Sequence, residues 1–83
     1  MNIYVANISF KAKQEDLEKL FAGYGKVTSC KIVTDRETGR SRGFGFVEMP
    51  NASEGNEAIR ELNGLEYMER DLNVRVAEDR PKR

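Results

Sequence analysis

Histidine is missing from all 83 residues, and there is a single cysteine, Cys30. The first absence removes the usual general base and the commonest metal ligand. The second leaves no intrachain disulfide and no thiolate metal cluster, and it fits a reducing, intracellular compartment. No acid–base pair can be argued from the spacing of the carboxylates, so neither an enzyme, a cofactor nor a bound metal is expected. No apolar run approaches the ~18 residues that span a bilayer. "MNIYVANI" opens with no basic region ahead of an apolar stretch, so a signal peptide is not expected either, and the expected location is cytoplasmic. An excess of charge is missing too: 14 Lys and Arg balance 14 Asp and Glu. A basic excess is the usual footprint of a nucleic-acid partner, so the sum argues against one.

The distribution of charge says more than the sum. Residues 31–42 carry Lys31, Arg36, Arg40 and Arg42 against Asp35 and Glu37, a net +2, and residues 75–83 carry Arg75, Arg80, Lys82 and Arg83 against Glu78 and Asp79, again +2. Residues 15–19 (Glu15, Asp16, Glu18, Lys19) sum to −2, as do Glu54, Glu57, Arg60 and Glu61. The length suits one domain, expected over 1–78 with a short basic tail at 79–83. With 39% apolar and 34% charged residues it should be a folded, charge-rich domain rather than a disordered chain.

Periodicity divides the chain. "IYVANI" (3–8) alternates as a strand, with Ile3 and Val5 on one face and Tyr4 and Ala6 on the other. Leu17, Leu20, Phe21 and Tyr24 form a helical stripe led by acids, with Lys13 as a poor cap and Gly25 as the stop. "KVTSCKIVTD" (26–35) alternates Cys30 and Ile32 against Lys31 and Val33. "PNASEGNEAIRELNG" reads as a second helix, capped by Asn51 with Glu54 completing a capping box. Its buried stripe is Ala52, Gly55, Ala58, Ile59 and Leu62, and Gly55 marks a close approach to a neighbour. "EYMERD" is a hairpin or turn. "LNVRVAE" sets Leu72, Val74 and Val76 against Asn73, Arg75 and Ala77. The order βαββαβ implies an α+β, ferredoxin-like split β-α-β fold. Right-handed crossovers place two helices on one face of a four-stranded antiparallel sheet, with the first and third strands central.

The other sheet face then has no cover. Strict alternation in "RGFGFVEM" (42–49) puts Arg42, Phe44, Phe46 and Glu48 on it, beside Tyr4, Lys31, Val33, Asn73 and Arg75. Gly43 and Gly45 fall on the covered face, where they are expected to let a helix approach closely. The opposite register would bury Arg42 and Glu48, which is costly. Three exposed aromatics rimmed by cations suit unpaired nucleobases, which stack on rings while phosphates meet the rim. Phe10, Phe21 and Tyr24 are expected in the core or at its edge, Asn7 in a turn, and Cys30 as a small buried apolar residue.

At these residues the chain resembles the RNA recognition motif family. "RGFGFVEM" follows the family's octapeptide (basic, Gly, aromatic, Gly or Ala, aromatic, aliphatic, any, aromatic) except at Met49, and "IYVANI" follows its hexapeptide. The likeness runs essentially end to end, and the chain resembles the minimal single-domain bacterial members. It implies that Tyr4 and Phe46 each stack on a base, that Phe44 lies against sugars and that Arg42 pairs with a phosphate. Lys13 at the helix cap, Gly55 in the second helix and Glu69 before Arg70 depart from the family's habits at stability positions. The expected function is that of a monomeric binder of single-stranded RNA, holding about two to four nucleotides with modest selectivity. Its site is Tyr4, Phe44, Phe46, Arg42, Lys31, Val33, Arg75, Asn73 and Arg80. Single-stranded DNA, or a protein or second copy on the same face, are the alternatives. A cold-shock barrel also carries a "GFGF" strand but has no intervening helices, and "GFGFVE" lacks the third glycine and the following helix of a dinucleotide loop.

Overall fold

The structure, a computed structural model, describes residues 1–77; Arg80 and the expected tail lie outside the described residues. The elements are β1 (Asn2–Ala6), α1 (Gln14–Ala22), β2 (Ser29–Thr34), β3 (Ser41–Glu48), α2 (Ala52–Leu62), β4 (Glu66–Tyr67), β5 (Arg70–Asp71) and β6 (Asn73–Val76). β2, β3, β1 and β6, in that order, form one antiparallel sheet, and β4 and β5 pair as a separate hairpin. This is the expected ferredoxin-like arrangement, with both helices on one face and β1 and β3 at the centre. The core between the layers draws Ile3, Val5, Ile32, Val47 and Val74 from the sheet, Leu17 and Phe21 from α1, and Ala58 and Leu62 from α2. Leu20 and Tyr24 pack at its margin. Val76, expected on the buried side, is 43% exposed: it ends β6, opposite Ile3, and among the described residues β6 is an edge of the sheet.

Each helix solves its ends with tertiary help. Lys13 has no side-chain oxygen to cap α1; its backbone N–H instead donates to the Asp16 carboxylate at 3.0 Å. The helix ends at Ala22 with Gly23 as its C-cap, before the expected stop at Gly25, and the Tyr24 N–H closes a tight turn onto the Phe21 carbonyl at 2.9 Å. In α2 the Asn51 Oδ1 accepts from the Glu54 N–H at 3.1 Å, as expected of an N-cap. The Glu54 carboxylate reaches across to the Lys26 N–H at 3.4 Å and ties α2 to the turn after α1. The stripe of α2 begins at the buried Gly55, where an added Cβ would fall on the Met1 Sδ, so the expected close approach is real. Ala52, the first helical residue, is exposed and lies outside that stripe.

The glycines of β3 act differently from the expectation. At Gly45 an added Cβ would overlap the Lys31 carbonyl oxygen and stand 2.9 Å from the Ile32 Cα. The close neighbour is therefore the backbone of β2, not a helix. Gly43 has φ +86, and there the β2–β3 register shifts between Ile32 and Thr34, as at a β-bulge. The Ile8 N–H donates to the Gly43 carbonyl at 2.9 Å, which anchors the loop leaving β1 to the bulge.

Candidate functional site

Residues directly opposite one another in an antiparallel pair share a face. Three rows follow on the face turned away from the helices. The first joins Ser29, Glu48 and Asn2 across β2, β3 and β1. The second joins Lys31, Phe46, Tyr4 and Arg75 across all four strands. The third joins Phe44, Ala6 and Asn73. The β1–β3 register thus brings the three aromatics together. Tyr4 lies 5.6 Å from Phe46 and 6.0 Å from Phe44 between ring centroids, and Phe44 meets Phe46 edge-on at 6.4 Å. Tilted and edge-on contacts let the rings support one another while leaving ring faces available. Phe46 is 42% exposed, and Tyr4 and Phe44 are partly buried.

Cations stand at both ends of the second row. The Arg75 Cζ sits 5.4 Å from the centroid of Tyr4, within cation–π range, and Lys31 is exposed opposite Phe46. Asn73 is exposed at the end of the third row. Val33 is half-buried and falls where the register shifts, so no residue of β3 is paired opposite it. Arg42 is exposed, but the alternation that would align it with Phe44 is interrupted at Gly43. Arg80 lies outside the described residues. Glu48 is the acidic member of the face, and its backbone carbonyl accepts from both the N–H and the hydroxyl of Thr28, at 2.9 and 3.2 Å.

The acids gather behind the sheet. Within α1, Glu15, Asp16 and Glu18 against Lys19 give −2, and within α2, Glu54, Glu57 and Glu61 against Arg60 give −2. The four sheet strands carry Lys31, Arg42 and Arg75 against Glu48, three minus one, or +2. The neutral sum thus conceals a polarised molecule whose open face is positive.

Phe10 is misplaced by the sequence reading. It is not at the core edge but 68% exposed, in the loop between β1 and α1. The Arg70 Cζ lies 5.9 Å from its ring centroid. Arg70 is itself held by two hydrogen bonds to the Asn7 Oδ1, at 2.7 and 3.2 Å, while the Asn7 Nδ2 donates to the Asp71 carbonyl at 2.7 Å. Asn7 shapes its turn as expected, with φ 57, and also pins the β4–β5 hairpin to the loop. One signal was available: Phe10 stands outside both the β1 alternation and the α1 stripe, between Ser9 and Lys11.

Cys30 is half-buried on the helix side of β2, its Sγ 3.5 Å from the Gln14 carbonyl. Burial, reinforced by Glu18, pushes its thiol up from 9.0 to about 11, so it stays protonated and unreactive near neutrality. Among the described residues no group of three or more carboxylates, cysteines or histidines is placed to hold a metal ion, and no helix is long and apolar enough to cross a membrane.

Comparison with known proteins gives a consistent picture. The model of the RNA recognition motif family matches residues 3–73. The chain is 49% identical, over its whole length and 84% of the other's, to the protein RbpE of Nostoc sp. strain PCC 7120, named "Putative RNA-binding protein RbpE". Among solved structures, the RNA-binding protein PG1 superposes with a TM-score of 0.92 at 51% identity, with 99% of each chain covered. The RNA15 domain with bound RNA (GU) superposes at 0.85 and 28% identity, covering 94% of this chain and 83% of that one.

Proposed function

The chain belongs to the RNA recognition motif family, and from that premise we propose that its open sheet face grips about two to four nucleotides of single-stranded RNA. It is a binding protein and not an enzyme, in keeping with the relatives named above. Tyr4 and Phe46 each take one base by stacking, Phe44 lies against the sugars between them, and Lys31, Arg42 and Arg75 meet phosphates. Asn73 and Val33 complete the rim. The observation that carries this reading is the second row: two adjacent rings 5.6 Å apart, with Lys31 opposite one and Arg75 over the other. Stacking accepts any base, because every base has a π-face, so selectivity is modest.

The experiment is a fluorescence-anisotropy titration of a short labelled RNA with the wild type, Phe46→Ala and Tyr4→Ala. Each substitution should weaken binding by about 1–3 kcal/mol, the usual worth of one stacked base. Equal affinity of wild type and Phe46→Ala would show that the row does not hold RNA. The same titration with the matching DNA strand measures the contribution of the 2′-hydroxyl.

A further inference from the structure

A carboxylate is out of place on a face that meets phosphates, yet Glu48 stands on this one. It is exposed on β3, on the same face as Phe46 and two residues beyond it, about 7 Å along the strand. Its neighbours across the strands, Ser29 on β2 and Asn2 on β1, are both neutral. Lys31, the nearest cation of the face by register, is opposite Phe46 and only diagonal to Glu48. Among the described residues no cation is within ion-pair distance of the Glu48 carboxylate, and the hydrogen bonds from Thr28 go to its backbone carbonyl. Such a charge lowers the positive potential of the face and repels any phosphate brought near. It gains from an RNA strand only where it meets hydrogen-bond donors.

The order along β3 says which donors those are. Phe44 and Glu48 flank Phe46 on opposite sides. The sugars lie on the Phe44 side, and the Watson–Crick edge of a base points away from its sugar. A base stacked on Phe46 therefore turns that edge toward Glu48. We propose that Glu48 selects the base held by Phe46, and that the base selected is guanine. The inference rests on the sheet-face reading and gives it a specificity. An ionised carboxylate can only accept, and it has two oxygens to do so. Guanine is the one base with two N–H donors side by side on that edge, at N1 and at the 2-amino group, so it makes a paired, charge-assisted contact. Adenine and cytosine each set a bare ring nitrogen beside their single amino group. Uracil sets its single N–H between two carbonyls. All three turn lone pairs toward the charge, and this repulsion discriminates as much as the attraction does. The stack on Tyr4 stays indifferent to base identity, so the strand is read at one position and tolerated at the others.

The test uses four labelled pentanucleotides, uridine throughout except for a central guanosine, adenosine, cytidine or uridine. The wild type should bind the guanosine RNA about tenfold more tightly than the other three, the scale of one bidentate contact to a base. Glu48→Gln keeps the shape of the side chain and the backbone contacts to Thr28. It should remove the guanosine preference and bind the all-uridine RNA at least as tightly as the wild type does, because a like charge has gone. A fifth RNA carries central inosine, which is guanosine without its 2-amino group. The wild type should hold it less tightly than guanosine, and Glu48→Gln should hold the two alike. Equal binding of the four RNAs by the wild type, preference for another base, inosine held as tightly as guanosine, or a guanosine preference undiminished in Glu48→Gln would overturn the proposal. Phe46→Ala run in parallel separates the two readings. It should weaken all the RNAs, and if it weakens none the sheet reading itself fails, whatever Glu48 does.

Discussion

Gly45 and Phe46 are neighbours in the chain that answer to opposite demands. Gly45 faces the covered side, where the β2 backbone passes so close that a methyl group would strike the Lys31 carbonyl and the Ile32 Cα. Backbone cannot give way as a flexible side-chain end does, so Gly45→Ala should cost about 1–3 kcal/mol, the usual range for overpacking, measured by urea denaturation. Such a loss would also part β2 from β3 and carry Lys31 away from Phe46. Phe46, by contrast, leaves 42% of its surface open for a base. The small residue on one face lets β2 close up, and the large one on the other uses the platform so formed. Alternation in "RGFGFVEM" assigned both residues to the correct faces, because side-chain direction in a strand is a property of the local backbone. What crowds Gly45 depends on a segment more than ten residues earlier, which no local pattern specifies.

At the scale of elements, the β4–β5 hairpin shows how a small piece departs from ideal chemistry. Its two-residue loop, Met68–Glu69, has φ of 53 and 75, values that favour glycine or asparagine. The departure at Glu69 noted in the sequence is thus a strained position in the structure. Glu69→Gly should raise stability by about 1 kcal/mol by removing the left-handed penalty, read as a higher urea midpoint at unchanged slope. The hairpin tolerates the strain because Asn7 and Arg70 hold it to the β1–α1 loop. The helices were legible as elements from their stripes, and the start of α2 from Asn51, whereas the end of α1 was not. The end of α1 was settled by the Tyr24 N–H closing onto Phe21, and the reach of Glu54 to Lys26 replaced the return half of a capping box. Helix ends leave backbone groups unpaired, and whichever partner the fold brings near satisfies them.

For the whole molecule the decisive quantity is the separation of charge. A net charge of zero first argued against RNA, yet the helices hold the acids behind the sheet and the strands present the cations. With Lys31, Arg42 and Arg75 as the sheet cations that meet phosphates, binding should depend on salt only weakly. About three released counterions give a slope of log K against log salt near −2 for a single strand. The slope is measured by repeating the RNA titration over a series of potassium chloride concentrations. Lys31→Ala should make it shallower by about 0.7, one phosphate contact's share. A slope far steeper than this would mean that more cations engage the strand than the sheet supplies.

The sequence by itself determined the order of elements, the two helices behind the sheet and the aromatic trio on the face left open. All three follow from side-chain periodicity and crossover handedness, which act within a strand, a helix or one connection. Only the tertiary structure decided where Arg42 and Phe10 stand. The bulge at Gly43 breaks the alternation by which Arg42 was aligned with Phe44, and it is held by Ile8 from another strand's loop. Phe10 is left exposed because the loop that carries it is pinned to that bulge at Gly43, while the hairpin brings Arg70 beside it. A residue outside any periodic element takes its surroundings from segments distant in the chain, so its exposure is set by the assembled fold.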